Sequence, residues 1–285
     1  MAKSSLWPLF LTNDLLGGGI GRMIARGCAA NGAHTILIDV NEQGLCETVE
    51  ELQRTISDSK YSSLETHAIH GDLSSEDGVK EIVAKVKALQ NPVDALIHCA
   101  GVRYMNETIY SPGDSLRTLE AATLSASYGD WERTFRLNVL APYYLTAGLI
   151  VPLGEAASRG EGRGCVLFFS SPASVHNHQF VPSYQTSKAA VDHLVRIMAT
   201  EFADFYIRVN AISPGIVPSR DDDRGCKLQS AFGKRSPAGR AGNDEDMVGT
   251  ALWLMSKAGS FMDGKVVRVE GGRLLILKGV TSNSD

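Results

Sequence analysis

The sequence predicts a doubly wound α/β fold, a mostly parallel sheet of about seven strands with helices on both faces. Two observations predict it. Short apolar runs of strand length alternate with longer stretches of helical period along the 285 residues. A glycine cluster, Gly17-Gly18-Gly19-Ile20-Gly21, falls between the first run and the first helix pattern. Such alternation, joined by right-handed crossovers, gives a parallel sheet covered on both sides. The length suits a large core, and no internal repeat or low-complexity linker divides residues 1–285, so one domain is expected.

The first strand candidate, Leu9-Phe10-Leu11, is weak, because Pro8 sits where a central strand should begin. The others are clearer: 35–38, 66–70, 95–98, 166–169, 208–212 and 266–269. Helical period covers 20–31, 41–56, 76–89, 131–150, 184–202 and 244–255. The helix from 184 carries an apolar stripe of Val191, Leu194, Val195, Met198 and Phe202. Stretches 103–129 and 218–243 read as irregular. Both leave the carboxyl ends of strands, where ligands bind in such sheets, and are expected to shape a substrate pocket.

Composition excludes several function classes. The formal net charge is −4, with no clustered basic face for nucleic acid. Asp221-Asp222-Asp223, with Arg224 following, reads as a solvated loop. The five cysteines, Cys28, Cys46, Cys99, Cys165 and Cys226, are odd in number and form no C-x-x-C. They read as small buried hydrophobes rather than a metal site or disulfide framework, which favours a reducing, cytoplasmic setting. The apolar run 6–11 is short and broken by Pro8, so it is not read as a signal peptide. No stretch approaches the roughly 20 apolar residues of a membrane span.

Tyr184 and Lys188 lie four residues apart, on one face of their helix. That pair alone is a weak signal. Ser171 strengthens it, standing at the end of a buried strand thirteen residues before Tyr184. The glycine cluster would let a backbone approach a pyrophosphate at a helix N-terminus, the arrangement of a Rossmann domain. Asp39 ends the second strand about 20 residues on, where an acid bonds ribose hydroxyls. It favours NAD(H) over NADP(H), since a 2′-phosphate would be repelled and positions 40–43 hold no Arg or Lys. Capping the helix that begins near Asn41 is the alternative role for Asp39.

With these motifs in place, the chain resembles the short-chain dehydrogenase/reductase family, in its shorter-chain branch. His98-Cys99-Ala100-Gly101 resembles the family's N-N-A-G turn, and Asn138 its helix asparagine. Arg208-Val209-Asn210-Ala211-Ile212-Ser213-Pro214-Gly215 matches R-V-N-x-I-x-P-G. Pro237-Ala238-Gly239-Arg240 and Val269-Glu270-Gly271-Gly272 resemble its C-terminal signatures. In texture the chain is similar to filamentous-fungal members, including 3-oxoacyl reductases. The resemblance implies interconversion of a ketone and a secondary alcohol on a small organic molecule, acyl or natural-product in kind. It implies Ser171, Tyr184, Lys188 and Asn138 as catalytic. Cofactor contacts would come from Gly17, Gly19, Ile20, Gly21, Asp39 and Asp72, then Ala100, Gly101, Tyr184 and Lys188, then Pro214, Gly215, Val217 and Ser219. Asp72 could instead cap the helix starting near Glu76. Family members are commonly homodimers or homotetramers.

The chemistry fits these residues on its own terms. Hydride transfer to a ketone leaves charge on oxygen, so a proton donor is needed there. A free tyrosine titrates near about 10, and a neighbouring ammonium favours the phenolate. A serine hydroxyl beside the carbonyl oxygen fixes its geometry.

The sequence also departs from the family. Where T-G-x-x-x-G-I-G is the pattern, Leu15 takes the first glycine's place and Asp14 the threonine's, with Thr12 two residues early. Either the turn bulges to bring Gly17 or Gly18 into that role, or the chain is a non-catalytic member that binds cofactor poorly. His98 reads as a satisfied strand-end histidine. His176 and His178 read either as substrate contacts or as exposed loop residues. An epimerase or dehydratase of the extended branch shares Y-x-x-x-K, but little chain follows Gly272 to build a second domain.

Overall fold

The structure is a computed structural model that describes residues 7–12, 19–57, 63–105, 108–111, 113–177, 181–218 and 233–277. Seven strands form one sheet: β1 Trp7–Thr12, β2 Ala33–Asp39, β3 Thr66–His70, β4 Ala95–His98, β5 Cys165–Phe169, β6 Arg208–Pro214 and β7 Val266–Val269. All pair in parallel, in the order β3-β2-β1-β4-β5-β6-β7. The chain winds outward from β1 to β3, then crosses back to β4. The order therefore reverses between β1 and β4, the place where such sheets open a ligand crevice.

Helices cover both faces, as alternation of side chains along the strands requires. In β5, Val166 and Phe168 pack into one layer, with α3 Glu76–Ala88, α6 Ala141–Gly148, α7 Ile150–Ala157 and α8 Pro182–Phe202. Cys165, Leu167 and Phe169 face the other layer, with α1 Ile20–Ala30, α2 Glu42–Ser57 and α9 Asp244–Met255. Burial on both sides explains why β2, β4 and β5 read as near-continuous apolar runs.

β1 is central despite its proline. It pairs with β2 from Trp7 to Thr12 but with β4 only from Leu9 to Thr12. Pro8 thus falls where the strand is paired on one side, and a residue without an N–H is tolerated there.

Two helical regions differ from the sequence expectation. The stretch 103–129 holds α4 Leu116–Leu124 and the start of α5 Tyr128–Phe135. Ser115 and Ser127 cap them, each accepting a backbone N–H three residues on. α4 buries only Ala122 while Leu116 and Leu124 are exposed, so it has no apolar stripe to read. The expected helix over 131–150 is broken. α5 widens into a π turn, Arg136–Leu140, before α6, and α7 then turns away by 63°. Pro142 offers no N–H to the carbonyl of Asn138, so the α-type bond there cannot form. No single helix among the described residues is long and apolar enough to cross a membrane.

The cysteines divide. Cys28 and Cys165 are buried, and burial pushes their thiols up to about 12 and about 11. Cys46 is exposed on α2 and Cys99 half-buried, against the expectation that all pack as core residues. Cys226 lies outside the described residues.

The amino edge of the sheet is closed by polar side chains. Arg208 donates to the carbonyls of Gly259, Met262, Gly162 and Leu254, at 2.7 to 3.0 Å. Arg163 bridges both oxygens of Asp94 at 3.0 Å, with both residues buried. Asp263 accepts the N–H groups of Val209 and Gly264.

Candidate active site

The site lies at the carboxyl edge and begins with the turn into α1. Gly19 precedes that helix with φ 87° and ψ −154°, a backbone region open only to glycine. Gly19, at the N-cap, has no side chain with which to cap α1, and free N–H groups at such a helix start suit an anion. Gly17 and Gly18 lie outside the described residues, as do Asp14 and Leu15.

Both candidate acids after strands are released from helix capping. Asp39, buried at the end of β2, accepts the Asn41 N–H at 2.8 Å. The Asn41 side chain itself accepts from Gly44 N–H and caps α2. Asp72 accepts from the backbone N–H and hydroxyl of Ser74, whereas Ser75 caps α3.

Ser171, Tyr184 and Lys188 come together on one cleft of about 630 Å³ that also reaches Ile20 and Gly21. Ser171 follows β5, and its Oγ accepts the Ala173 N–H at 3.2 Å. Tyr184 and Lys188 are successive turns of α8. The Lys188 ammonium is buried, donates to the Phe169 carbonyl at 2.7 Å and lies 5.7 Å from the centre of the Tyr184 ring. Asn138, in the π turn, accepts the Val102 N–H at 2.8 Å and donates to Val102 O and Ser187 Oγ at 3.0 Å. A Cβ on Gly101 would stand 3.3 Å from Asn138 Oδ1 and 3.5 Å from Lys188 Nζ, so glycine leaves a gap between these two groups.

Pro214, Gly215 and Val217 form another wall. Gly215 is fixed by close packing, since a Cβ would meet Glu270 Cα at 2.7 Å. Ala100 packs against the core instead of lining the cleft. Asp39 and Asp72 are also outside its lining, and Ser219 lies beyond the described residues.

His98 is buried against Phe168 and pairs through Nε2 with Thr146 Oγ1 at 2.8 Å. Burial lowers its pKa to about 3, so it is a neutral core group. His176 is buried rather than an exposed loop residue. His178 lies outside the described residues.

Sequence reasoning overlooked Asp192 and Arg103. Asp192 is buried one turn beyond Lys188, and its Oδ1 accepts the hydroxyl of Ser170. Burial raises its pKa, opposed by Ser170, Ser174, Arg268 and Arg196. The spacing Tyr184, Lys188, Asp192 could have found it. Arg103 lies over Tyr184, its guanidinium 5.7 Å from the ring centre.

The family model described as enoyl-(acyl carrier protein) reductase matches residues 17–273. This chain belongs to the short-chain dehydrogenase/reductase family. It is an oxidoreductase of the CH–OH/C=O couple that uses a nicotinamide cofactor. The short-chain dehydrogenase/reductase PhomF of Diaporthe leptostromiformis is 30% identical, over 96% of this chain and 98% of its own length. The rhamnolipid-biosynthesis 3-oxoacyl-[acyl-carrier-protein] reductase of Pseudomonas aeruginosa is 30% identical, over 89% of this chain and 91% of its own. Among solved structures, the Pseudomonas aeruginosa RhlG/NADP complex matches with TM-score 0.76 at 27% identity, over 93% of this chain and 95% of that one. Gluconobacter frateurii L-sorbose reductase, with NADPH and L-sorbose, matches with TM-score 0.78 at 25% identity, over 96% and 98%.

Proposed function

We propose that the chain interconverts a ketone and a secondary alcohol at Ser171, Tyr184 and Lys188, with NAD(H) preferred over NADP(H). The observation that carries this reading is the meeting of all three side chains on one cleft that runs back to the turn into α1.

A bound nicotinamide supplies the hydride in reduction and takes it back in oxidation. In reduction the Tyr184 hydroxyl gives its proton to the substrate oxygen, so ketone, NADH and one proton yield alcohol and NAD. The Ser171 hydroxyl is free to donate to the same oxygen, because its bond to Ala173 uses only a lone pair. Lys188, held by the Phe169 carbonyl, keeps a positive charge beside Tyr184 and can reach the nicotinamide ribose. The Asn138 carbonyl, denied an α-helical donor by Pro142, suits a water that returns protons toward Lys188.

Asp39 would take the adenosine ribose hydroxyls and disfavour a 2′-phosphate. Asp72 would border the adenine. The reading takes residues 1–285 as one domain, with 103–129 and 218–243 shaping the side open to a small acyl or natural-product substrate. A cytoplasmic homodimer or homotetramer fits the family.

The test is turnover of a ketone panel by the purified protein with NADH or NADPH, read at the nicotinamide absorbance. Tyr184→Phe should lower the rate by about 10²- to 10⁴-fold without changing the circular dichroism. Equal turnover by wild type and variant would remove the mechanism. Equal efficiency with both cofactors would remove the role given to Asp39. Calorimetric titration with NAD separates a working enzyme from a chain that has lost cofactor binding.

A further inference from the structure

We infer that Arg103 is a substrate-anchoring residue, and that the ketone or alcohol taken by this cleft carries a carboxylate a few bonds from the reacting carbon. The inference rests on the reading of Tyr184 as the proton donor.

Arg103 leaves the end of β4 two residues after Gly101 and lines the cleft beside Tyr184. Its guanidinium and the Lys188 ammonium each lie 5.7 Å from the Tyr184 ring centre. No Asp or Glu lines the cleft among the described residues. Asp192, behind Ser170, is turned to that serine and does not reach the lining. Arg133 makes a useful contrast. It stacks on Tyr104 at 5.0 Å but also pairs with Asp130, whereas Arg103 has no ion pair among the described residues. An exposed cation resting on an aromatic ring is weakly held. A carboxylate offered to the planar fork of arginine makes charge-assisted bonds that are stronger, and it needs no other group to move. Lys188 holds the Phe169 carbonyl and is assigned above to the nicotinamide ribose, so among the described lining residues Arg103 is the cation left to meet a substrate anion. With the carbonyl oxygen at Tyr184, an acid group a few bonds away falls within reach of Arg103. A phosphate ester would satisfy the same fork.

Matched charged and neutral substrates test this. 3-Oxobutyrate is compared with its methyl ester, and dihydroxyacetone phosphate with dihydroxyacetone, each with NADH. The expected result is a kcat/KM about 10- to 100-fold higher for 3-oxobutyrate than for its ester. Arg103→Met should collapse that ratio, chiefly through KM, and Arg103→Lys should restore part of it. A preference confined to the phosphate pair overturns the carboxylate assignment. A ratio near one in wild type, or a variant that raises KM for NADH while the ratio holds, overturns the anchoring role. Binding is also read apart from turnover, by calorimetric titration of malonate into the protein with NAD present and absent. Malonate binding that weakens at least tenfold in Arg103→Met supports the subsite even where no ketone is reduced. In that case the proposed activity fails and the anion site stands. Equal malonate binding by both proteins, or none, counts against Arg103.

Discussion

At the amino edge of the sheet, Arg208 spends four N–H groups on four carbonyls, and Arg163 and Asp94 neutralise each other in the core. At the carboxyl edge, Lys188 makes one bond to Phe169, Ser171 keeps its hydroxyl hydrogen, and Arg103 rests on a ring. The same residue types are paired at one edge, the buried Arg208 Nε excepted, and left partly open at the other. Buried polar groups stabilise a fold only when their partners are complete. The difference teaches that cations at the amino edge hold the sheet together, whereas those at the carboxyl edge keep donors that the proposed reading assigns to a ligand.

Replacing one buried cation at each edge is the sharpest way to break that comparison. Lys188→Met should lower kcat/KM by about 10²-fold or more, and weaken NADH binding, while the urea midpoint moves little. Arg208→Met should do the reverse. It leaves the Gly162 carbonyl with no other donor among the described residues and takes one of two donors from the carbonyls of Gly259, Met262 and Leu254, and a buried carbonyl left unpaired costs about 1 to 3 kcal/mol. A loss of about 3 kcal/mol or more in urea unfolding is expected, with unchanged NADH affinity in the fraction that remains folded. Similar stability losses in the two variants would show that the edges do not differ in kind.

The sequence showed the closed part of the molecule more readily than the open part. Strands β2, β4 and β5 announced themselves because both faces are largely buried, which leaves apolar runs, whereas β3 and β7 at the sheet edges are more open. β1 was weak because Pro8 lies in it, and only the one-sided pairing with β2 explains its place. α4 was illegible because Leu116 and Leu124 face solvent and only Ala122 is buried. In the candidate site, Ser171, Tyr184 and Lys188 were readable from spacing and strand-end position, and Asn138 from the family resemblance. Asp192 was hidden because burial of a carboxylate depends on what packs around it, here Ser170 and the layer under α8. Arg103 was hidden because a single arginine in a loop has no period, and its place over Tyr184 arises only where the segment after β4 meets the first turn of α8 at the cleft.

His98 carries the comparison into pH. It ends β4 at the carboxyl edge, yet it is buried and neutral, so it belongs with the closed groups. Its folded pKa lies near 3, below the 6.5 of an exposed histidine. Between those values the unfolded chain binds a proton that the folded chain does not. Stability from this group is therefore full above about pH 6.5 and is lost as pH falls toward 3, by at most about 1.4 kcal/mol per pH unit. His98→Gln, which keeps a partner for Thr146 and does not titrate, should flatten that acid limb in urea unfolding series. An unchanged slope would mean that His98 takes up its proton as readily in the fold as in the unfolded chain.

The smallest expected effect is at Asp192, and it tests whether the carboxyl edge keeps a charge at the expense of stability. Burial raises its folded pKa above the ordinary 3.8, against the opposing pull of Ser170, Ser174, Arg268 and Arg196. The folded chain then holds a proton that the unfolded chain has released, so this group's contribution falls as pH rises from about 4 toward neutrality. Asp192→Asn keeps an acceptor for the Ser170 hydroxyl and has nothing to ionise. It should match the wild type near pH 4 and be the more stable of the two at pH 7, where the buried carboxyl has to ionise in the wild type. A variant less stable than wild type at pH 7 would mean that the carboxylate is held by Arg268 as a favourable ion pair. Asp192 would then belong with Asp94 and Arg163 as part of the closed scaffold, and the division between the edges would run through α8 rather than across the sheet.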